Sequence, residues 1–313
     1  MNIVFMESLG MDEKAVRNAC RTLEGMGHRV RFYAERSEDE AELIKRAENA
    51  EVIVISNVPL HKSFFDACPA LKMISVAFTG VDHIDLNACR EKNITVCNAA
   101  GYSTRAVAEL SIGLMIAVYR KIVEGDKDVR AGGVRRFLGT ALGGKTVGLI
   151  GMGAIGQAVA RLVQAFDCKV IAYNRSPKEV AGVEFVDKQT LFKKADIVTV
   201  HIPLTPATRG FVSTAEFALM QPHAILINTA RGPVVDEDAL FEALRNNQIA
   251  GAGIDVYGQE PPLPAGFELF DAPNLVMLPH EGFATCESFA ARLGIVVNNI
   301  EKWLAGTPQN KVD

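Results

Sequence analysis

The 313-residue sequence predicts an α/β protein of two doubly wound parallel-sheet domains. Three observations predict it. Short β-rich apolar runs alternate with helical patterns along nearly the whole chain, the pattern of a parallel sheet covered by helices on both faces. The alternation is interrupted once, by a long apolar helix and a set of glycine-rich turns, and then restarts. The length is roughly twice that of a typical domain.

In order, NIVFM at 2–6 reads as a strand. Val16, Ala19, Cys20 and Leu23 then recur at helical spacing, and Gly25 and Gly27 close that helix. RVRFY follows as a strand, and Ser37-Glu38-Asp39-Glu40 reads as a capping box opening the next helix. EVIVIS, LKMISVAF and ITVCN continue the series. A long helix is expected over 103–124, then turns at Gly132-Gly133, Gly139 and Gly143-Gly144. KTVGLI, KVIAYN, AILINT, AGAGIDVY and NLVMLPH are the later strands, and a last helix covers 287–304. That helix could pack back on the first domain, making it discontinuous.

Composition excludes several classes. Hydrophobic residues are 49% and charged residues 22%, ordinary for a globular protein. The net charge is −4, and no basic block exists to neutralise phosphates, so no nucleic-acid partner is expected. The short basic run over 130–136 reads as a solvated loop. The start MNIVFMESLG lacks a basic n-region and a long apolar stretch, so a cytoplasmic location and no membrane partner are expected. Cys20, Cys68, Cys89, Cys97, Cys168 and Cys286 are scattered without a CxxC pair and read as free thiols, with no metal site.

The strongest local signal is KTVGLIGMGAIGQAVARL. A strand runs into Gly151-Met152-Gly153-Ala154-Ile155-Gly156 and then an apolar helix, the Rossmann dinucleotide context. Gly151 permits the tight turn, Gly153 lets backbone approach a pyrophosphate, and Gly156 lets helix and strand pack closely. The helix N-terminus offers N–H groups to the phosphates. About 20 residues on, an NAD site carries an acid for the ribose 2′-OH. Here the strand ends in Asn174-Arg175-Ser176-Pro177-Lys178, without one. Arg175 could stack on adenine and pair with a 2′-phosphate, with Ser176 and Lys178 as donors, so NADP(H) is preferred and NAD(H) possible. The alternative is a solvated Arg175, with Asn174 serving NAD.

Arg231, Glu260 and His280 all follow later strands, at the edge where ligands bind. Arg231 can grip a carboxylate in a bidentate pair. His280 can protonate a carbonyl oxygen as hydride reaches the carbon, and Glu260 can orient the imidazole and favour its protonated form. Each has a bland alternative: a turn histidine, a loop acid, and an arginine paired with Asp255 or Asp236.

The chain resembles the D-isomer-specific 2-hydroxyacid dehydrogenases over nearly its whole length. The resemblance rests on TGVDHIDLNACREKNITVCNAAGYSTRAVAEL at 79–110, LIGMGAIGQAVA at 149–160, HIPLTPATRG at 201–210, INTARGPVVDEDAL at 227–240, GIDVYGQEPP at 253–262 and the LPH ending at His280. It implies a Rossmann coenzyme domain, 99–284, inserted into a flavodoxin-like substrate domain, 1–98 plus 285–313, with hinges near 99 and 284. It implies Arg231 as substrate-binding residue, Glu260 as the partner of the histidine and His280 as acid/base. Asp255 would hold the nicotinamide carboxamide, and His201 and Ala230 lie in the matching cofactor-side motifs. Backbone amides of Ala77, Phe78, Thr79 and Gly80 would bind the substrate carboxylate, with Tyr102 near the site. A homodimer built mainly on the coenzyme domain and its long helix is implied.

Two departures matter. Glu281-Gly282-Phe283 follows His280 where the family usually has Ile or Thr and then Gly or Ala, so Glu281 puts a second carboxylate near the imidazole. SNVPLHKS has no arginine cluster, where the phosphoglycerate-oxidising branch tends to carry basic residues, which argues against a phosphorylated substrate. Phe78 and Phe283 could wall a small apolar or hydroxymethyl group. The reading is reduction of a small 2-keto acid to a D-2-hydroxy acid, glyoxylate or hydroxypyruvate first. A D-lactate-type dehydrogenase, an NAD(P)(H)-sensing binding protein and phosphite oxidation are the alternatives; the formate branch lacks its asparagine and longer chain here.

Overall fold

The computed structural model describes residues 1–176 and 179–312, and its chain divides into two compact units. One is Met1–Ser103 with Ala284–Asp313, the other Thr104–Phe283. The joints stand at 103/104 and 283/284, beside the 98/99 and 284/285 read from sequence.

The first unit carries β1 (Asn2–Phe5), β2 (Arg29–Phe32), β3 (Val52–Ile55), β4 (Met73–Val76) and β5 (Thr95–Cys97). They pair in parallel in the order β2-β1-β3-β4-β5, the flavodoxin-like order. VIVI and MISV are buried at every position, as continuous apolar runs in a sheet covered on both faces must be. The first helical pattern is two pieces, α1 (Glu13–Ala19) and α2 (Arg21–Gly25), meeting at buried Cys20. The expected capping box is also corrected. Helix α3 (Glu40–Arg46) is capped by Asp39, which accepts from Ala41 N, while Ser37 Oγ accepts from Asp39 N one turn earlier. Helices α4 (Lys62–Ala67) and α5 (Leu86–Glu91) complete the first stretch.

The second unit opens with α6 (Thr104–Arg120). The single helix expected over 103–124 is broken at Lys121, which takes a left-handed conformation at φ 49° before α7 (Ile122–Arg130). Seven strands follow: β6 (Thr146–Ile150), β7 (Lys169–Tyr173), β8 (Val183–Phe185), β9 (Ile197–Val200), β10 (Ile225–Asn228), β11 (Gly251–Ile254) and β12 (Leu275–Met277). Their order is β12-β11-β10-β9-β6-β7-β8, all parallel. The strand order reverses between β6 and β9, the switch point where such sheets bind ligands. Helices α8 (Ala154–Ala165), α9 (Lys188–Lys194), α10 (Thr214–Phe217) and α11 (Glu237–Arg245) flank the sheet. Helix α12 (Cys286–Leu304) returns to the first unit, where Ser75 Oγ donates to the Val296 carbonyl and Val296, Val297 and Ile300 enter the core with Ile3 and Phe5.

No helix among the described residues is long and apolar enough to cross a membrane. No group of three or more His, Cys, Asp or Glu among them could hold a metal ion. Five of the cysteines are buried and Cys286 is exposed, all as free thiols.

Candidate active site

The glycine loop leaves β6 at the switch point. Gly151 has φ 100°, and a side chain there would strike the His201 carbonyl at 2.5 Å; one at Gly156 would strike the Gly151 carbonyl at 2.1 Å. Only glycine serves both places. Gly153 faces open space and is the N-cap of α8 without any side-chain cap, so Ala154 and Ile155 begin a helix whose first amides face a cradle of bare backbone. These features fit a dinucleotide pyrophosphate.

At the end of β7, Asn174 has a job inside the loop. Its Oδ1 accepts from Met152 N at 3.1 Å and its Nδ2 donates to the Ser176 carbonyl at 2.5 Å. It braces the glycine loop against the strand that follows. Arg175 and Ser176 are exposed, and Lys178 lies outside the described residues. None of the described residues 174–176 is a carboxylate. His201, after β9, is partly buried with Nε2 3.0 Å from Thr199 Oγ1, and desolvation pushes its pKa down to about 3. It is a neutral ring packed beside the Gly156 turn.

Strands β10, β11 and β12 are neighbours in register, Asn228 beside Ile254 and Ile254 beside Met277. Their exits therefore line one edge. After β10, Asn228 shapes the turn: Oδ1 accepts from Ala230 N and Nδ2 donates to the Arg231 carbonyl. Arg231 is partly buried in extended backbone and donates to the Ala230 carbonyl at 2.8 Å. Asp236 caps α11 by accepting from Ala239 N.

After β11, Glu237 accepts from Gly258 N at 2.7 Å and steadies the loop carrying Glu260. Burial raises the Glu237 pKa. Glu260 Oε2 then lies 3.0 Å from His280 Nδ1. That contact leaves Nε2 as the nitrogen to face a substrate. Both residues keep part of their surface open, 46% and 29% of the side chain, as groups that must meet a ligand do. Phe283 lies edge-on to the imidazole at 6.0 Å. Glu281 is exposed, and what it contributes to the structure is its backbone amide, donated to Asp255 Oδ1 at 2.8 Å. Asp255 Oδ2 accepts from Gly282 N at the same distance. Burial raises the Asp255 pKa while these two amides oppose the rise.

In the first unit, Ala77 is fully buried after β4, Thr79 is exposed, and Phe78 and Gly80 are intermediate. Ala99 N donates to the Phe78 carbonyl and Asn98 Nδ2 to the Thr79 carbonyl, fixing the loop's carbonyls. Tyr102 sits edge-on to Phe78 at 6.3 Å.

Sequence reasoning missed Arg292 and Tyr257. Arg292 is 2% exposed, donates to the Leu9 carbonyl, and lies over Phe289 at 4.5 Å, Phe78 at 5.4 Å and Tyr102 at 5.7 Å. The signal was an arginine on the apolar stripe that Phe289, Leu293, Val296 and Ile300 define in α12. Tyr257 follows an apolar strand as a single aromatic, and no sequence pattern marks its hydroxyl.

A bare-backbone cradle at the switch point, with a carboxylate three and an imidazole four strand exits away, fits a nucleotide-dependent oxidoreductase. Comparison with known proteins narrows this. The family profile described as D-isomer specific 2-hydroxyacid dehydrogenase, NAD binding domain, matches residues 112–282. The chain is 38% identical to a glycerate dehydrogenase of Methylorubrum extorquens, over 87% of this chain and 88% of that one. It is 41% identical to a glyoxylate reductase of Thermococcus litoralis, over 80% of each. Among solved structures, an acyclic imino acid reductase, Bsp5, in complex with NADPH and D-Arg superposes with a TM-score of 0.92, at 32% identity over 100% of both chains. The chain belongs to the D-isomer-specific 2-hydroxyacid dehydrogenase family and is a hydroxyacid oxidoreductase that uses a nicotinamide cofactor.

Proposed function

We propose that the protein reduces a small 2-keto acid, glyoxylate or hydroxypyruvate, to the D-2-hydroxy acid with NADPH, as part of a homodimer. The observation that carries this reading is the Glu260–His280 pair at 3.0 Å on the edge shared with Arg231. The relatives named glyoxylate reductase and glycerate dehydrogenase support the substrate class.

The cofactor, when bound, supplies the hydride. Residues 151–156 and the start of α8 hold its pyrophosphate, with His201 and Ala230 lining the same side. Asp255 is assigned the carboxamide through the lone pairs its two loop bonds leave. Arg231 binds and polarises the keto acid, and the backbone of Ala77, Phe78, Thr79 and Gly80 takes the carboxylate, with Tyr102 beside it. His280 Nε2 gives its proton to the carbonyl oxygen as the carbon is reduced. Glu260 keeps the ring oriented through Nδ1. The NADPH preference is supported by the exposed Arg175 and Ser176, by the missing carboxylate beside them, and by the NADPH bound to Bsp5.

Steady-state oxidation of NADPH and NADH with glyoxylate, hydroxypyruvate and pyruvate tests the whole reading. NADPH is expected to lead with one of the first two acids. Absence of turnover with all three would overturn it. For the dimer, Val134 and Leu138 are 92% and 96% exposed on the segment after α7, two apolar side chains beside Arg135 and Arg136 that a second copy would cover. Sedimentation should give twice the chain mass.

A further inference from the structure

The chain leaving β11 touches both loops that carry the proposed catalytic groups. Tyr257 Oη donates to the Leu278 carbonyl at 2.7 Å, two residues before His280. The Asp255 carboxylate accepts from Glu281 N and Gly282 N, one and two residues after it, at 2.8 Å each. His280 itself takes φ 58°, a left-handed conformation uncommon for a non-glycine residue. The hydrogen bonds that flank the histidine on both sides come from one short segment.

The same segment meets the arginine loop. A side chain at Gly232, the residue after Arg231, would stand 1.9 Å from the Tyr257 carbonyl carbon, so the two backbones lie in direct contact. Asp255 and Tyr257 are 1% and 3% exposed, and Tyr257 packs edge-on against Phe267 at 6.1 Å. Burial raises the phenol's pKa and keeps it a donor. Only its hydroxyl distinguishes it from a phenylalanine.

We propose that Tyr257, together with the Asp255 carboxylate, is a positioning residue: it fixes the His280 loop from both sides and registers it against the Arg231 loop. This rests on the reading of His280 as the proton donor. It assigns to the Tyr257 hydroxyl a part in the reaction although it touches no substrate. Without that bond the Leu278 carbonyl is free to turn, His280 leaves the left-handed conformation more often, and Nδ1 spends less time against Glu260.

Tyr257→Phe tests it, because the ring and its packing on Phe267 remain. The kcat for keto-acid reduction is expected to fall about ten-fold, with KM and NADPH affinity within two-fold of wild type. The pH profile of kcat is expected to differ from that of wild type, because Nδ1 spends less time against Glu260. In the coenzyme-free protein, amide exchange at Glu281 and Gly282 is expected to speed up at least ten-fold while the β10 and β11 amides stay protected. Wild-type kcat and pH profile, or unchanged exchange at 281 and 282, would overturn the proposal. Exchange needs no turnover, so it still decides if activity is lost for other reasons. His280→Gln separates the two readings. If it keeps wild-type turnover, the proton-donor assignment fails; if it abolishes turnover while Tyr257→Phe behaves as wild type, only the positioning role fails.

Discussion

Glu260 and His280 leave the sheet on different strands, yet their side chains meet at 3.0 Å through Oε2 and Nδ1. The parallel register of β11 and β12 brings the two exits side by side. The contact turns Nδ1 toward the carboxylate and leaves Nε2 outside it.

Glu260→Gln should therefore change kinetics more than folding. The glutamine keeps the shape but replaces the carboxylate oxygen that lies against the imidazole. Under the proposed function the rate is expected to fall on the order of 10- to 100-fold at neutral pH. His280→Ala should lose on the order of 10²- to 10⁴-fold. A pH series of kcat for Glu260→Gln that overlays wild type would remove Glu260 from the mechanism.

Asn174→Asp should turn the cofactor preference. The new carboxylate keeps an acceptor for Met152 N but gives up the donor to the Ser176 carbonyl, so the glycine loop stays braced on one side. It adds the acid that hydrogen-bonds a ribose 2′-OH and repels a 2′-phosphate. The ratio of kcat/KM for NADPH over NADH is expected to drop at least ten-fold. An unchanged ratio would show that this strand end does not meet the ribose.

The fold was legible where local rules and global packing agree. The VIVI and MISV runs read as strands buried on both faces, and they are. The strand–GxGxxG–helix stretch read as a phosphate cradle because glycine is the only residue that can take φ 100° and a 2.1 Å approach in one turn. Arg231, Glu260 and His280 stood out because charged groups after apolar strands need a reason to be there. Other features depend on partners far along the chain. Nothing near Lys121 marks it as a break, since no proline or glycine adjoins it, and its left-handed turn belongs to the packing of α6 and α7. Ser37 and Asp39 both offer an N-cap oxygen, and the extended backbone at Asp39 decides between them. Arg292 finds its carbonyl at Leu9, at the other end of the sequence.

Arg292 should respond to substitution in an unusual order. Its charge is buried among Phe78, Tyr102 and Phe289, and desolvation lowers its pKa. A planar guanidinium can stack on three rings; an ammonium is a strongly hydrated point charge that cannot. Arg292→Lys is expected to lose about 1–3 kcal/mol of stability. Arg292→Met removes the buried charge and fills the space, so it should lose less than Arg292→Lys. Urea unfolding of the two variants checks the order, and a lysine variant as stable as wild type would contradict it.

His201 should make the coenzyme unit sensitive to mild acid. Its pKa is pushed down to about 3 by desolvation, whereas in the unfolded chain an imidazole titrates near 6.5. Between those values the unfolded chain binds a proton that the folded one refuses. Stability from this group is therefore complete above pH ~6.5 and is lost as pH falls toward 3, by at most about 1.4 kcal/mol per pH unit. Between pH 6.5 and 5 the loss is expected to reach about 2 kcal/mol. His201→Gln can keep a hydrogen bond to Thr199 without a titrating group, so its stability over that window should be flatter. Denaturant midpoints at pH 7, 6 and 5 for the two proteins give the comparison; parallel losses would mean the imidazole is not the acid-sensitive group.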